Sequence, residues 1–313
     1  DTEQMIGATV NGAIDLFFDG SKKLATTSTG IDVTGTAVTD GLTVAGNLSV
    51  DSGTIKLDGN YPTGTGNVAL GDTALDSLQS GGDNNVAIGH NAGTALTTGD
   101  DNVAIGFEAL KTEDEHGRNV AVGYQSLKTL NAGVVAVTTT VGYKSGTSLT
   151  TGVQNVLIGG LSGDALTDAD FNVAVGNNTL TTDTKGNKST AIGYEALTAQ
   201  NFSTSTDSFN TAVGFQSGAS VTTGRFNTLI GGLAGDALTT GQYNVALGYN
   251  ALTGEDTGSR NTAIGYEALE DLNFDGDGYN TAVGFLAGNK VSTGTQNTLI
   301  GGLAGDALLA ASD

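Results

Sequence analysis

The stretch "NTLIGGLAGDAL" runs from Asn227 to Leu238 and returns letter for letter from Asn297 to Leu308. A third copy with two substitutions, "NVLIGGLSGDAL", occupies Asn155 to Leu166. Its glycines could cradle a phosphate or spell a shape, and the surrounding register decides between the two. Aligning every Gly that follows an aliphatic residue and stands four places after an Asn gives units that begin at Asn67, Asn85, Asn102, Asn119, Thr138, Asn155, Asn172, Ser189, Asn210, Asn227, Asn244, Asn261, Asn280 and Asn297. There are fourteen of them, mostly 17 residues apart. Internal repetition of this kind fixes the architecture before any local feature does.

Counting the first residue of each unit as position zero, the unit reads N-[VT]-[AL]-[VIL]-G, two variable residues, a small residue, and an arm rich in Thr, Gly and Asp. About five residues with branched side chains, closed by Gly, predict a short strand rather than a helix. Fourteen such strands at fixed spacing, each followed by turn residues, predict an all-β chain: a parallel β-solenoid, or β-roll, whose coils each add one rung to parallel sheets. The Asn of each rung is placed to bond to the Asn above and below and to turn backbone, forming a ladder that satisfies polar groups buried in the bend. Thr138 and Ser189 keep only a hydroxyl there, so the ladder is expected to weaken at those two rungs. Gly at position +4 permits torsions closed to other residues and lets coils approach closely.

Position +5 is aromatic in Phe107, Tyr124, Tyr143, Tyr194, Phe215, Tyr249, Tyr266 and Phe285. That column packs between coils or chains, or else offers a sugar-stacking surface. Gly interrupts it at Gly160, Gly232 and Gly302, the three coils that carry the opening motif. Including the Asn85 coil, the intervals are 70, 72 and 70 residues, so a super-unit of four coils overlies the single coil. The longer spacings, 119 to 138, 189 to 210 and 261 to 280, always fall between the third and fourth coil. A loop therefore protrudes once per super-unit. The interruption points to a periodic change in how coils or chains pack.

Composition agrees with a thin-walled repeat. Gly supplies 49 of 313 positions and Pro one, there is no Cys or Trp, and the formal net charge is −21. Such a charge repels nucleic acid and anionic membranes, which excludes nucleic-acid binding. The lack of Cys forbids disulfides and thiolate metal sites. No apolar run approaches the roughly 20 residues of a membrane span, so membrane insertion is not expected. The chain opens "DTEQM" without a signal-peptide pattern and reads as a fragment or a processed product.

Residues 1–60 lack the Asn register. Short apolar alternations, Ile31 with Val33, Leu42 with Val44, Leu48 with Val50 and Ile55 with Leu57, are separated by Gly or Asp-Gly and predict a β-rich stalk of intertwined strands from several chains. The sole Pro, Pro62, marks a junction over residues 61–66, and residues 67–313 form the solenoid shaft.

Chemistry is sparse. A phosphate loop needs a following helix and usually a Lys, and "DALTTG" supplies neither. His90 and His116 stand in different coils and read as surface residues. In "EDLNFDGDGYN", Asp271, Asn273, Asp275 and Asp277 alternate as oxygen ligands do in calcium loops, giving an improvised calcium candidate; the twelfth position is Ala282, which excludes an EF-hand. Carboxylates in stacked loops, Asp114 with Glu115 or Glu255 with Asp256, could in principle form a glycosidase pair, as on any acidic surface. No nucleophile elbow or zinc-type His spacing is present, and neither enzymatic activity nor a cofactor beyond that calcium candidate is expected.

The motif N-x-A-[VI]-G-x-x-[AS], as in "NVAIGFEA" from Asn102 and "NTAIGYEA" from Asn261, resembles the head repeats of the YadA-like trimeric autotransporter adhesins. The resemblance covers residues 67–308 and implies three β-rolls packed side by side as a homotrimer that binds host surfaces. The coils here are longer than in that family, and neither a signal peptide nor a membrane-anchor barrel is seen. The stretch "NGAIDLFFDGSKKLATTSTGIDVTGTAVTDGLTVAGNLSV" is similar to phage tail-fibre segments that precede repeated shafts. Together the two resemblances imply an extracellular virion fibre, joined to other tail proteins at its N-terminal end and carrying host recognition of a surface glycan or protein. The alternative they leave is a trimeric adhesin on a bacterial cell surface.

Overall fold

The structure, a computed structural model, describes residues 6–8, 14–18, 21–27, 31–33 and 64–310. The chain divides into two compact units, Asp1–Lys56 and Leu57–Asp313. In the first, strands Ile6–Ala8, Ile14–Phe18, Ser21–Thr26 and Ile31–Val33 pair antiparallel in chain order, with a register shift between Leu16 and Phe17. These strands pair with one another within the chain. Leu42, Val44, Leu48, Val50, Ile55, Leu57 and Pro62 lie outside the described residues.

The second unit is a β-solenoid. Fourteen strands, from Val68–Leu70 to Thr298–Ile300, form one parallel sheet in which each coil contributes one rung. The sequence suggested strands of five residues in more than one long sheet. The rungs are three residues long, as in Val245–Leu247, and the only other sheet of this unit among the described residues is the two-stranded pairing of Gly186–Asn187 with Thr206–Asp207. Register never slips along the main sheet: Ala174 meets Ala191, Ala191 meets Ala212, and Ala212 meets Leu229. No helix among the described residues is long and apolar enough to cross a membrane.

The Asn column explains the fixed register. The Oδ1 of each Asn accepts the backbone N–H of the next rung's first residue, as from Asn102 to Asn85 at 2.9 Å and from Asn261 to Asn244 at 3.0 Å. Its Nδ2 donates to a carbonyl 14 residues on, where the coil returns, as from Asn244 to Gly258 at 2.9 Å. The ladder thus runs from side chain to backbone through most of its length; amide bonds to amide only near the C-terminal end, Asn297 to Asn280 at 2.9 Å. Most of the buried Asn side chains satisfy one donor above and one acceptor in their own turn; Asn119 and Asn261 do not make the second bond.

The two substituted rungs behave differently. Thr138 still presents its N–H to Asn119, but its hydroxyl reaches Asn155 at only 3.4 Å, and Asn119 Nδ2 is buried with no partner among the described residues. At Ser189 the gap is bridged by Ser208 Oγ at 2.6 Å, which in turn accepts the N–H of Asn210. The ladder is loosened at the first and rebuilt at the second.

Position +4 has to be Gly. Gly231 lies at φ 135°, and a Cβ there would fall 2.3 Å from the carbonyl oxygen of Gly248 in the next coil. The core is a file of small and medium side chains: Ala or Leu at position +2, with Thr140 once, Ala, Ser or Thr at +7, and Leu at +8 or +11, nearly all fully buried. The opening motif is a packing device within this file. Gly235 and, one coil earlier, Gly218 at position +8 leave a space that Leu229 fills from position +2; a Cβ on either Gly would come within 2.8 Å of its methyl groups. Leu157 stands in the same relation to Gly146 and Gly163, and Leu299 to Gly288 and Gly305.

Two substitutions test this account by thermal and denaturant unfolding. Asn244→Ala strands the buried N–H of Asn261 and the carbonyl of Gly258, at a cost of about 2–6 kcal/mol if each unpaired group costs about 1–3. Gly231→Ala adds about 1–3 kcal/mol of backbone strain to the clash with Gly248. A melting temperature unchanged in either variant would contradict the ladder.

Candidate interaction surface

The alternation of the rung sends positions −1, +1, +3 and +5 to the outside of the sheet. Position +1 is Val or Thr and position +3 is always Val, Ile or Leu, half-buried or exposed in every coil, from Leu70 and Ile88 to Val283 and Ile300. A continuous aliphatic strip therefore runs along one side of the shaft, flanked by columns at positions −1 and +5.

The +5 column stacks as the sequence implied. Phe107 and Tyr124 lie 5.1 Å apart at 11°, Tyr124 and Tyr143 5.5 Å apart at 15°, and further stacks join Tyr194 to Phe215 and Tyr249 through Tyr266 to Phe285. His90, read from sequence as a plain surface residue, extends the first stack at 5.5 Å from Phe107 and stands 3.4 Å from the Asp72 carboxylate. The rings lie face to face, so a ligand cannot stack on a ring inside the column. Ring faces lack a stacked neighbour where Gly breaks the column and at Tyr194, which Asn177 precedes. Tyr143, Phe215 and Phe285, each followed by a Gly rung, are 53%, 54% and 55% exposed, against 44% for mid-stack Tyr124 and Tyr266.

A second column, at position −1, was missed. Phe209, Phe226 and Tyr243 stack at 5.6 and 4.9 Å, with Phe171 and Tyr279 on the same line. Cations punctuate it: Lys188 lies over Phe209, Arg225 over Phe226, and Arg260 over both Tyr243 and Tyr279, at 4.8–5.6 Å. The signal was present in the alignment, because five of these coils carry an aromatic residue immediately before the Asn.

The protruding loops share an anchor that sequence reading also missed. Position +11, usually Leu, is Glu113, Asp183 or Glu255 in the coil that precedes each long connection, and all three are fully buried. Each carboxylate accepts the N–H of the residue three places on, His116, Gly186 or Gly258, at 3.2, 3.0 and 2.6 Å. Each also accepts an N–H 19 residues on, at the loop: Ala132 at 3.5 Å, Phe202 at 3.2 Å and Phe274 at 3.2 Å. Phe202 and Phe274 turn inward beside it. Gln200 adds a donor to Asp183 and ties it to Ser189 and Asn210. Glu255, weighed above with Asp256 as a glycosidase pair, thus spends both oxygens on backbone amides.

The calcium candidates are engaged separately. Asp271 pairs with Lys290 at 2.8 Å, Asp275 accepts from Thr257 at 2.5 Å, and Asp277 pairs with Arg260. Asn273 gives its backbone N–H to Ser292. The one His and carboxylate group among the described residues with ligand atoms within 4.8 Å of one another is Glu113, Asp114 and His116, and it could hold a cation. Gly186 and Gly258 stand where the other two super-units would need the His, so the trio is not part of the repeat.

The ionisable groups give a pH profile with a worked sign. Burial raises the carboxyls of Glu113 and Glu255 above the ordinary 4.5, and the donated amides do not offset it. Their contribution to stability is therefore full below that ordinary value and is lost as pH rises through the raised one. Glu108 runs the other way: Lys111, then Lys128 and Gln125, hold it at about 2, so its contribution exists above 4.5 and is lost as pH falls toward 2.

On acidification from neutral to pH 4.5, Glu255→Gln should gain less in melting temperature than the parent chain, while Glu108→Gln should flatten the fall below it. Parallel curves would refute the assignment. Glu255→Leu should instead leave two amides without an acceptor, about 1–3 kcal/mol each, and accelerate hydrogen exchange at Phe274. No protein-family profile matches the chain, and no curated protein or solved structure is significantly similar to it.

Proposed function

We propose that the chain is a structural fibre protein of a virion appendage, such as a phage tail fibre, which acts as a rigid spacer and carries host-surface adhesion. The carrying observation is the union of an unbroken fourteen-rung sheet with one outward aliphatic strip along its whole length. At about 4.8 Å per rung, fourteen rungs make a shaft of about 67 Å.

The strip supports a homotrimer. From position −1 to position +5 it spans six residues, at most about 20 Å, so three strips around a common axis would each lie within about 6 Å of it. Three sets of Val, Ile and Leu then fill the centre, and a solvent-facing apolar strip of this length is otherwise a liability. The loops anchored by Glu113, Asp183 and Glu255 would each appear three times. Weak contacts to a repeated host glycan then add through multivalency. The acidic surface keeps separate fibres apart.

Light scattering on the purified chain should return three copies, and micrographs should show a straight three-fold shaft; a stable monomer would overturn the assembly. Ile230→Lys, on the strip, should shift the chain toward monomer at micromolar concentration. Immunogold labelling of the source should mark a virion appendage, whereas label confined to a bacterial surface would replace the fibre with an adhesin.

A further inference from the structure

At position +5 of the coil that starts at Asn227, the chain's own fold gives no reason for Gly. Gly232 has no left-handed φ, and a Cβ there would meet only the Tyr249 ring, at an ordinary 3.5 Å. Its neighbour Gly231 is forced by backbone and by contact, and Gly232 is forced by neither. At Gly160 a Cβ would come 3.1 Å from Asn177 Oδ1, and Gly302 stands in the last coil with no rung beyond it. Yet the residue recurs once per super-unit, where it breaks the ring column.

Position −1 of the same coil supplies a fitting occupant. Opposite Gly160, Gly232 and Gly302, at the same height but on the other edge of the strip, stand Gln154, Phe226 and Gln296. In the third coil of each super-unit the same two positions pair a cation with a tyrosine: Arg118 with Tyr124, Lys188 with Tyr194, and Arg260 with Tyr266. Within a chain these partners stand at opposite edges of the three-residue rung, and Lys188 and Arg260 lie over Phe209, Tyr243 and Tyr279 rather than over the tyrosine of their own coil. Between parallel copies related by rotation about an axis along the shaft, every coil lies level with its equivalent, and the −1 edge of one meets the +5 edge of the next.

We propose that copies of this chain join edge to edge in coil register, with Phe226 of one copy against Gly232 of the next, and that this heterologous contact closes the ring at three. The cations of the −1 column then lie beside the tyrosines of the neighbour, where a guanidinium or ammonium over a ring is favourable. The proposal rests on the trimer put forward above and adds to it which edges meet and at what level. In the same register Phe209 meets Phe215, Tyr243 meets Tyr249 and Tyr279 meets Phe285, so levels where ring meets ring flank the Gly level.

The natural absence of Cys makes the test clean. The double variant Phe226→Cys/Gly232→Cys, treated with a short bismaleimide, should give a covalent species of three chains on a denaturing gel, and neither single variant should. A second pair, Phe209→Cys/Phe215→Cys, should do the same and guards against misfolding of the first, with the circular dichroism spectrum confirming the fold of each. The offset pair Phe226→Cys/Phe215→Cys should cross-link at least tenfold less. A three-chain particle by light scattering that gives no covalent trimer from either level pair, or equal yield from the offset pair, overturns the edge contact while leaving the fibre intact. A monomer by light scattering overturns both, and covalent products that stop at two chains or run on to polymers overturn the three-fold closure.

Discussion

Everything in the shaft depends on a carboxamide that reaches in two directions. In most coils one Asn accepts an N–H from the next rung and donates to a carbonyl in its own return turn, as Asn244 does, so a single buried side chain both joins coils and closes its own. No apolar residue could do this, because the rung is only three residues long and the bends that flank it bury backbone groups that need partners. The rest follows from the spacing that this bond enforces. Gly at position +4 is required because the coils are drawn to a distance at which a Cβ would meet the neighbouring carbonyl. The core can then be built from Ala and Leu, since the tube it fills is narrow.

Above this one-coil rule lies a second layer that repeats every four coils. It has three parts, each using a different physical term. A Leu at position +2 occupies volume left by two successive glycines. A buried carboxylate replaces Leu at position +11 and holds the loop that follows through backbone amides. The ring column stops at Gly on the outer face. The first is packing, the second charge-assisted hydrogen bonding, and the third an interruption of ring stacking. Local variety is thus confined to places where the ladder does not depend on it.

The repeat, the coil boundaries, the Asn and Gly columns and the aromatic column at position +5 were legible in the sequence because each is a residue type at a fixed interval, and stacking makes interval equivalent to contact. Glu113, Asp183 and Glu255 were not, because in a chain with 33 acidic residues nothing in the letter distinguishes a buried carboxylate from a solvated one. The column of Phe209, Phe226 and Tyr243 was available in the same alignment and was overlooked because it sits outside the strand motif. Asp271, Asp275 and Asp277 alternate like ligands yet turn to Lys290, Thr257 and Arg260, since alternation in a loop does not fix where side chains point. The four antiparallel strands of the first unit pair within the chain, which short apolar alternations alone do not specify.

The near-identity of the coils that start at Asn155, Asn227 and Asn297 bears on how such a shaft changes over generations. Loss or duplication of a segment of 70 or 72 residues between two of them rejoins like with like, so every rung still meets a chemically equivalent neighbour. The same event carries one loop, one Leu–Gly pocket and one Gly rung in or out together. Length can then be inherited in steps of about 19 Å, four rungs at a time. Reach becomes a trait that recombination adjusts without passing through an unfolded intermediate.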